Sequence, residues 1–137
     1  MKRVVIDASI ALAWVHPSQA TAATDGLLEE VGVGTRVVVP ALWAVEVANA
    51  LLVLERRKKL RPDERIEALA TLQALNASVD EDGHRFVFTK VSELAVAHGL
   101  SAYDASYLEV ALRERLPLAT KDEVLRQAAS KAGVGLR

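Results

Sequence analysis

Four acidic residues stand where a chain of this kind does not need them for solubility. Asp7 follows directly on an apolar run, Arg3 to Ile6. Glu46 sits among Ala44, Val45, Val47 and Ala48. Asp104 opens a helical pattern in Ser-Ala-Tyr-Asp-Ala, and Asp122 comes just after a second apolar run, Leu116 to Ala119. Carboxylates gathered without a counter-charge repel one another and raise each other's pKa. A hard divalent cation such as Mg²⁺ or Mn²⁺, which prefers oxygen ligands, relieves that repulsion. It also lowers the pKa of a bound water and stabilises charge on a phosphoryl oxygen. His16, His84 and His98 are scattered, so no imidazole is placed for acid–base work. The chemistry expected is metal-assisted hydrolysis of a phosphodiester, with Asp7, Glu46, Asp104 and Asp122 as metal ligands and catalytic residues.

Each acid also has a plainer role open to it. Asp7 and Asp122 can cap the helices that follow them. Asp104 suits the amino end of a helix dipole, and Glu46 can pair with a distant arginine, although its apolar neighbours speak against an exposed position. The set is more telling than its members, because all four fall at one predicted edge of a sheet. Ser9, Asn49 and Thr120 are the supporting polar candidates. Ser9 and Thr120 also read as helix caps. Asn49 lies one turn after Glu46 on the same helix face, either bonding that carboxylate or serving as a satisfied core amide. Tyr103, Tyr107, Trp14 and Trp43 read as packing residues.

The elements that must position these groups alternate. Arg3–Ile6 and Arg36–Val39 are short β-branched runs without alternation, the pattern of strands buried on both faces. A helix capped by Ser9 runs to Trp14, and Pro17 breaks it. Ser18 to Val31 is helical and ends at Gly32 and Gly34. Pro40 opens the longest helix, to Leu60, with Leu42, Val45, Asn49, Leu52 and Arg56 on one stripe. Pro62 ends it, and Asp63 begins a partner helix to about Asn76, so that Pro40–Asn76 forms a helix hairpin. Ala77–Val79 is a short edge strand. His84–His98 is read as a helix, since Val87, Val91, Leu94 and His98 keep helical spacing. Tyr103–Arg115 is the next helix, Leu116–Ala119 a strand, Glu123–Ala132 the last helix and Val134–Leu136 a final strand. Strands alternating with helices predict a three-layer α/β/α sandwich around a mostly parallel sheet. In such sheets ligands bind beyond the carboxyl ends of the strands, where Asp7 and Asp122 fall.

Composition bounds the answer. The chain has 137 residues, 51% hydrophobic and 4% aromatic. One domain, residues 1–137, is expected, with a core of Ala, Val and Leu. There is no cysteine, which excludes disulfides and thiolate metal sites. No apolar run approaches a membrane span, and Asp7 interrupts the amino-terminal apolar segment, so a soluble, cytoplasmic protein is expected. Seventeen basic and eighteen acidic residues leave a net charge of −1. A nucleic-acid partner would therefore need a local basic patch. The run Arg56 to Arg61 is one candidate. Cations are favourable at a helix carboxyl end; the functional alternative is contact with RNA phosphates.

The segments VVIDASIALAW, PALWAVEVANALL, GLSAYDASYLEVA and PLATKDEVLRQAA, around Asp7, Glu46, Asp104 and Asp122, resemble PIN-domain ribonucleases in order and rough spacing. The chain is most similar to the VapC-type toxins of toxin–antitoxin pairs. The resemblance spans nearly the whole chain and is weakest from Asp63 to Val91. It implies a PIN fold, a Mg²⁺- or Mn²⁺-dependent endoribonuclease acting on RNA, and the four acids as its metal-site residues, with Ser9, Asn49 and Thr120 as supporting residues. It further implies a homodimer and a cognate antitoxin docking along the hairpin Pro40–Asn76, often sending a basic residue towards the acidic site.

Three rivals share the size and topology. A receiver-like phosphoacceptor domain uses an adjacent acidic pair after its first strand, whereas Asp7 is followed by Ala8 and Ser9. A haloacid-dehalogenase-type phosphatase wants an acid where Ser9 stands. A non-catalytic interaction module would keep the fold and use only the apolar helix.

Overall fold

The computed structural model describes residues 1–137. Four parallel strands, β1 (Arg3–Ile6), β2 (Arg36–Pro40), β3 (Ser78–Asp80) and β4 (Leu118–Ala119), form one sheet in the order β3-β2-β1-β4. Val4, Val5 and Ile6 are at most 1% exposed. Successive strand residues point to opposite faces, so both faces of β1 are covered, as an unalternating apolar run requires. The helices are α1 (Ala8–Val15), α2 (Ala22–Gly32), α3 (Leu42–Arg56), α4 (Pro62–Ala74), α5 (Ser92–His98), α6 (Ala102–Glu114) and α7 (Glu123–Lys131). The architecture is the expected three-layer α/β/α sandwich.

Several boundaries differ from the sequence expectation, each for a local reason. Pro40 closes β2, opposite Asp80, and does not start α3; a missing N–H costs little at the last residue of a strand. Ser9 does not cap α1. Asp7 does, accepting from the N–H groups of Ser9 and Ile10. Pro17 begins a 3₁₀ turn, and α2 waits for Thr21, whose hydroxyl and that of Thr24 exchange bonds with each other's backbone N–H groups. Pro62 is the first residue of α4 as well as the break after α3. The helical reading of 84–98 holds in outline, but the pitch changes from a 3₁₀ turn to a π turn over Val87–Val91 and then to α5. β4 is shorter than expected, and the last strand reduces to a single bridge between Leu118 and Leu136.

On α3 the stripe read from the sequence is not the buried one. The buried face is Trp43, Val47 and Leu51, whereas Val45 is 72% exposed and Asn49 and Arg56 face solvent. Helix α6 is buried at every position from Ala105 to Ala111 and packs on β1 and β2. It is therefore a central strut of the fold, and it carries Asp104 at its third residue. No helix is long and apolar enough to cross a membrane.

Candidate functional site

The chain runs from β1 outward to β2 and β3, then returns to place β4 on the other side of β1. The carboxyl ends of β1 and β4 are therefore a point where connections diverge, the usual place for a ligand crevice in an open α/β sheet. Asp7 follows β1 and sits beside β4, its N–H donating to the Ala119 carbonyl at 3.3 Å. Thr120 follows β4 and donates its hydroxyl to Asp7 Oδ2. The Asp122 N–H donates back to Thr120 Oγ1 at 3.0 Å. Ser9 Oγ donates to Asp7 Oδ1 at 2.6 Å and accepts from the Lys121 N–H at 2.9 Å. Ser9 and Thr120 thus hold Asp7 from both sides and lock the 120–122 turn to the start of α1. Neither is a helix cap. The caps are Asp7 and Asp122, the latter accepting from the Leu125 N–H at 3.0 Å.

Glu46 and Asp104 arrive from helices. With α3 starting at Leu42, Glu46 lies just past the first turn and is half-buried. Its Oε1 accepts from the Tyr107 hydroxyl at 2.5 Å. Asp104 is half-buried at the amino end of α6, behind the cap Ser101, whose hydroxyl accepts from its N–H at 3.0 Å. Asn49 is exposed and does not hold Glu46; Tyr107 does that instead. By sequence alone Tyr107 reads as a packing residue. Its ring is indeed buried, but its place three residues after Asp104, on the same face of α6, was a signal that its hydroxyl serves the same edge.

Electrostatics tie the four acids together. Burial raises the Asp104 carboxyl above its ordinary value, and the charges of Asp122, Asp7 and Glu46 push it further. Burial raises Asp7 too, against the lowering effect of its bonds from Ser9, Thr120 and the Ile10 N–H. Burial, the bond to Glu46 and the surrounding carboxylates drive the Tyr107 phenol far up, so it stays a donor. As the side chains lie, no three carboxylate or imidazole groups stand close enough to enclose a metal ion. The donor set nevertheless suits one in kind: it is all oxygen, it lacks a paired cation, and Asp122 is exposed. The edge is open. The two cavities of about 430 and 310 Å³ that flank β3 and the α3–α4 hairpin are lined by none of the four acids. An open edge admits a polymer strand better than it encloses a small molecule.

A family model described as PIN domain matches residues 4–131. Among solved structures, PAE2754 from Pyrobaculum aerophilum is 26% identical with a TM-score of 0.65, over 93% of this chain and 84% of that one. VapBC2 from Rickettsia felis, solved bound to a DNA fragment from its promoter, is 12% identical with a TM-score of 0.66, over 98% and 97%. FitAcB from Neisseria gonorrhoeae is 18% identical with a TM-score of 0.63, over 97% and 95%. The likeness to the last two is one of fold. No curated protein sequence matches.

Proposed function

Because this chain belongs to the PIN-domain family, whose members are nucleases, we propose that it is a metal-dependent endoribonuclease, the toxin of a toxin–antitoxin pair, with residues 1–137 as one unit. The observation that carries this is the convergence of acids at the ends of β1 and β4: Thr120 bonds Asp7 and the Asp122 N–H, and Tyr107, one turn after Asp104, bonds Glu46. Asp7, Glu46, Asp104 and Asp122 would hold Mg²⁺ or Mn²⁺. A bound divalent ion supplies the counter-charge for these carboxylates, an activated water and stabilisation of the phosphoryl oxygen. Ser9 and Thr120 fix the plane of the Asp7 carboxylate. Tyr107 holds Glu46 from inside the fold, as partners behind metal ligands commonly do. Asp122 stands on the exposed side, where a strand would enter.

Resemblance to VapC-type toxins, and fold-level likeness to VapBC2 and FitAcB, support an antitoxin partner and a homodimer in the cytoplasm. The α3–α4 hairpin is the docking surface we favour. It bears a cavity of about 310 Å³ lined by Trp43, Val47, Leu69 and Leu72. The buried indole N–H of Trp43 has no hydrogen-bond partner there.

The test is RNA cleavage with added Mg²⁺ or Mn²⁺ by the wild type, Asp7→Asn and Asp104→Asn. Replacing groups behind metal ligands typically costs 10–100-fold, so loss of a ligand is expected to exceed about 100-fold. Equal cleavage by all three proteins would overturn the assignment.

A further inference from the structure

Seven of the seventeen Lys and Arg side chains are ion-paired. Of the ten that are not, four are consecutive: Arg56, Arg57, Lys58 and Lys59, all exposed at the turn from α3 to α4. The flanking cations are neutralised. Arg61 pairs with Asp63 and Glu64, and Arg65 with Glu55. A helix dipole favours a cation within the last turn only, which accounts for Arg56 and not for the three beyond it.

The turn presents these charges on a fixed backbone. The N–H groups of Arg57, Lys58 and Lys59 donate to the carbonyls of Val53, Glu55 and Leu54 at 3.0, 2.9 and 2.9 Å. Lys58 takes a left-handed conformation, φ 59°, and Leu60 behind it is 7% exposed in the core. Helix α3 links this tip to the acidic edge. At the rise and twist of an α-helix, Arg57 lies about 16 Å beyond Glu46 and within about 20° of its direction. Asn49 and Val53 lie on the same line, so the ridge between tip and site carries no acid; Glu55 is on the opposite side, engaged with Arg65.

We propose that Arg56, Arg57, Lys58 and Lys59 form a phosphate clamp that holds single-stranded RNA along the α3 ridge, with the strand running on to the acidic edge. The identity of the polyanion rests on the endoribonuclease reading above. The chain has no net positive charge to attract RNA, and the four carboxylates repel it, so affinity has to come from a local cation cluster. At physiological salt the screening length is about 8 Å. The tip therefore acts on phosphates it touches and leaves the chemistry at the acids unchanged.

The test replaces all four cations, Arg56→Gln, Arg57→Gln, Lys58→Asn and Lys59→Gln, asparagine being chosen because it tolerates the left-handed backbone. Binding of single-stranded RNA is measured against salt in this variant and its parent, both carrying Asp104→Asn and without divalent metal. At about 0.7 per phosphate contact, the slope of log affinity against log salt should fall by about 3. Between about 50 and 200 mM salt the parent then loses about 50-fold more affinity than the variant. With Asp104 restored, KM for long RNA rises while kcat, and cleavage of di- and trinucleotides too short to reach the tip, do not change. An unchanged slope or absence of RNA binding by the parent overturns the clamp. Cleavage with an unchanged slope overturns the clamp alone. Tip-dependent binding without any cleavage overturns the nuclease reading and leaves the clamp standing.

Discussion

Tyr107 joins two requirements in one side chain. Its ring fills the core beneath α6, 1% exposed, and its hydroxyl is the donor that steadies Glu46. Tyr107→Phe separates the two, keeping the ring and freeing the carboxylate. Loss of one such bond is expected to lower stability by about 1 kcal/mol and to weaken metal affinity about tenfold. Denaturant unfolding and the half-activating Mn²⁺ concentration for RNA cleavage check these two outcomes; an unchanged metal requirement would remove Tyr107 from the site. Asp7 shows the same doubling, since one carboxylate caps α1 and anchors the edge. At this scale the acids were legible from residue type and position. Their partners were not, because Thr120 lies 113 residues from Asp7 and Tyr107 lies 61 from Glu46.

Among the elements, α6 has the hardest task, since it carries Asp104 and Tyr107 and must not slide along β1 and β2. Arg113 pins its far end. Its guanidinium donates to both oxygens of Asp80 at 3.0 and 2.7 Å and to both oxygens of Glu109 at 2.8 and 3.0 Å, with its carbon 5.2 Å from the Phe86 ring centre. Burial pushes the Asp80 carboxyl up, but Arg113 and the Gly83 N–H together hold it below its ordinary value. The Asp80 and Glu109 side chains are about 5% exposed or less, so removing the cation strands two buried charges. Arg113→Met is expected to cost about 3–5 kcal/mol in thermal unfolding. Adding Asp80→Asn and Glu109→Gln should return much of it; failure to do so would show that packing of the arginine stem, not its charge, secures α6. Most element types could be read from periodicity alone. Pro40 could not be placed, because a proline suits a strand end and a helix start equally, and only pairing with β3 decides between them.

For the whole molecule, the acidic edge sets a relation between metal, pH and stability. Asp104 and Asp7 have raised carboxyls in the folded state. Each therefore binds its proton more tightly folded than unfolded, and between its ordinary and its raised value folding weakens as pH rises. Without metal the full penalty is present at neutral pH and is relieved as pH falls through the raised values. Mg²⁺ or Mn²⁺ should raise Tm most at neutral pH, with a gain that grows logarithmically with concentration above Kd. The gain should shrink as pH falls towards the carboxylate range and largely vanish in Asp104→Asn. Differential scanning fluorimetry across pH and metal concentration checks this. An equal shift in Asp104→Asn would place the metal elsewhere.

The sequence by itself determined the fold class and singled out the four acids as candidates. Buried parallel strands must be continuously apolar, amphipathic helices must repeat at 3.6 residues, and an acid at the end of such a strand stands out against that pattern. Tertiary structure decided how that edge is built, because it depends on β4 returning beside β1. It also decided which face of α3 is inward, since apolar residues lie on more than one face and only packing chooses between them. The same choice turned Asn49 out to solvent and set Tyr107 against Glu46.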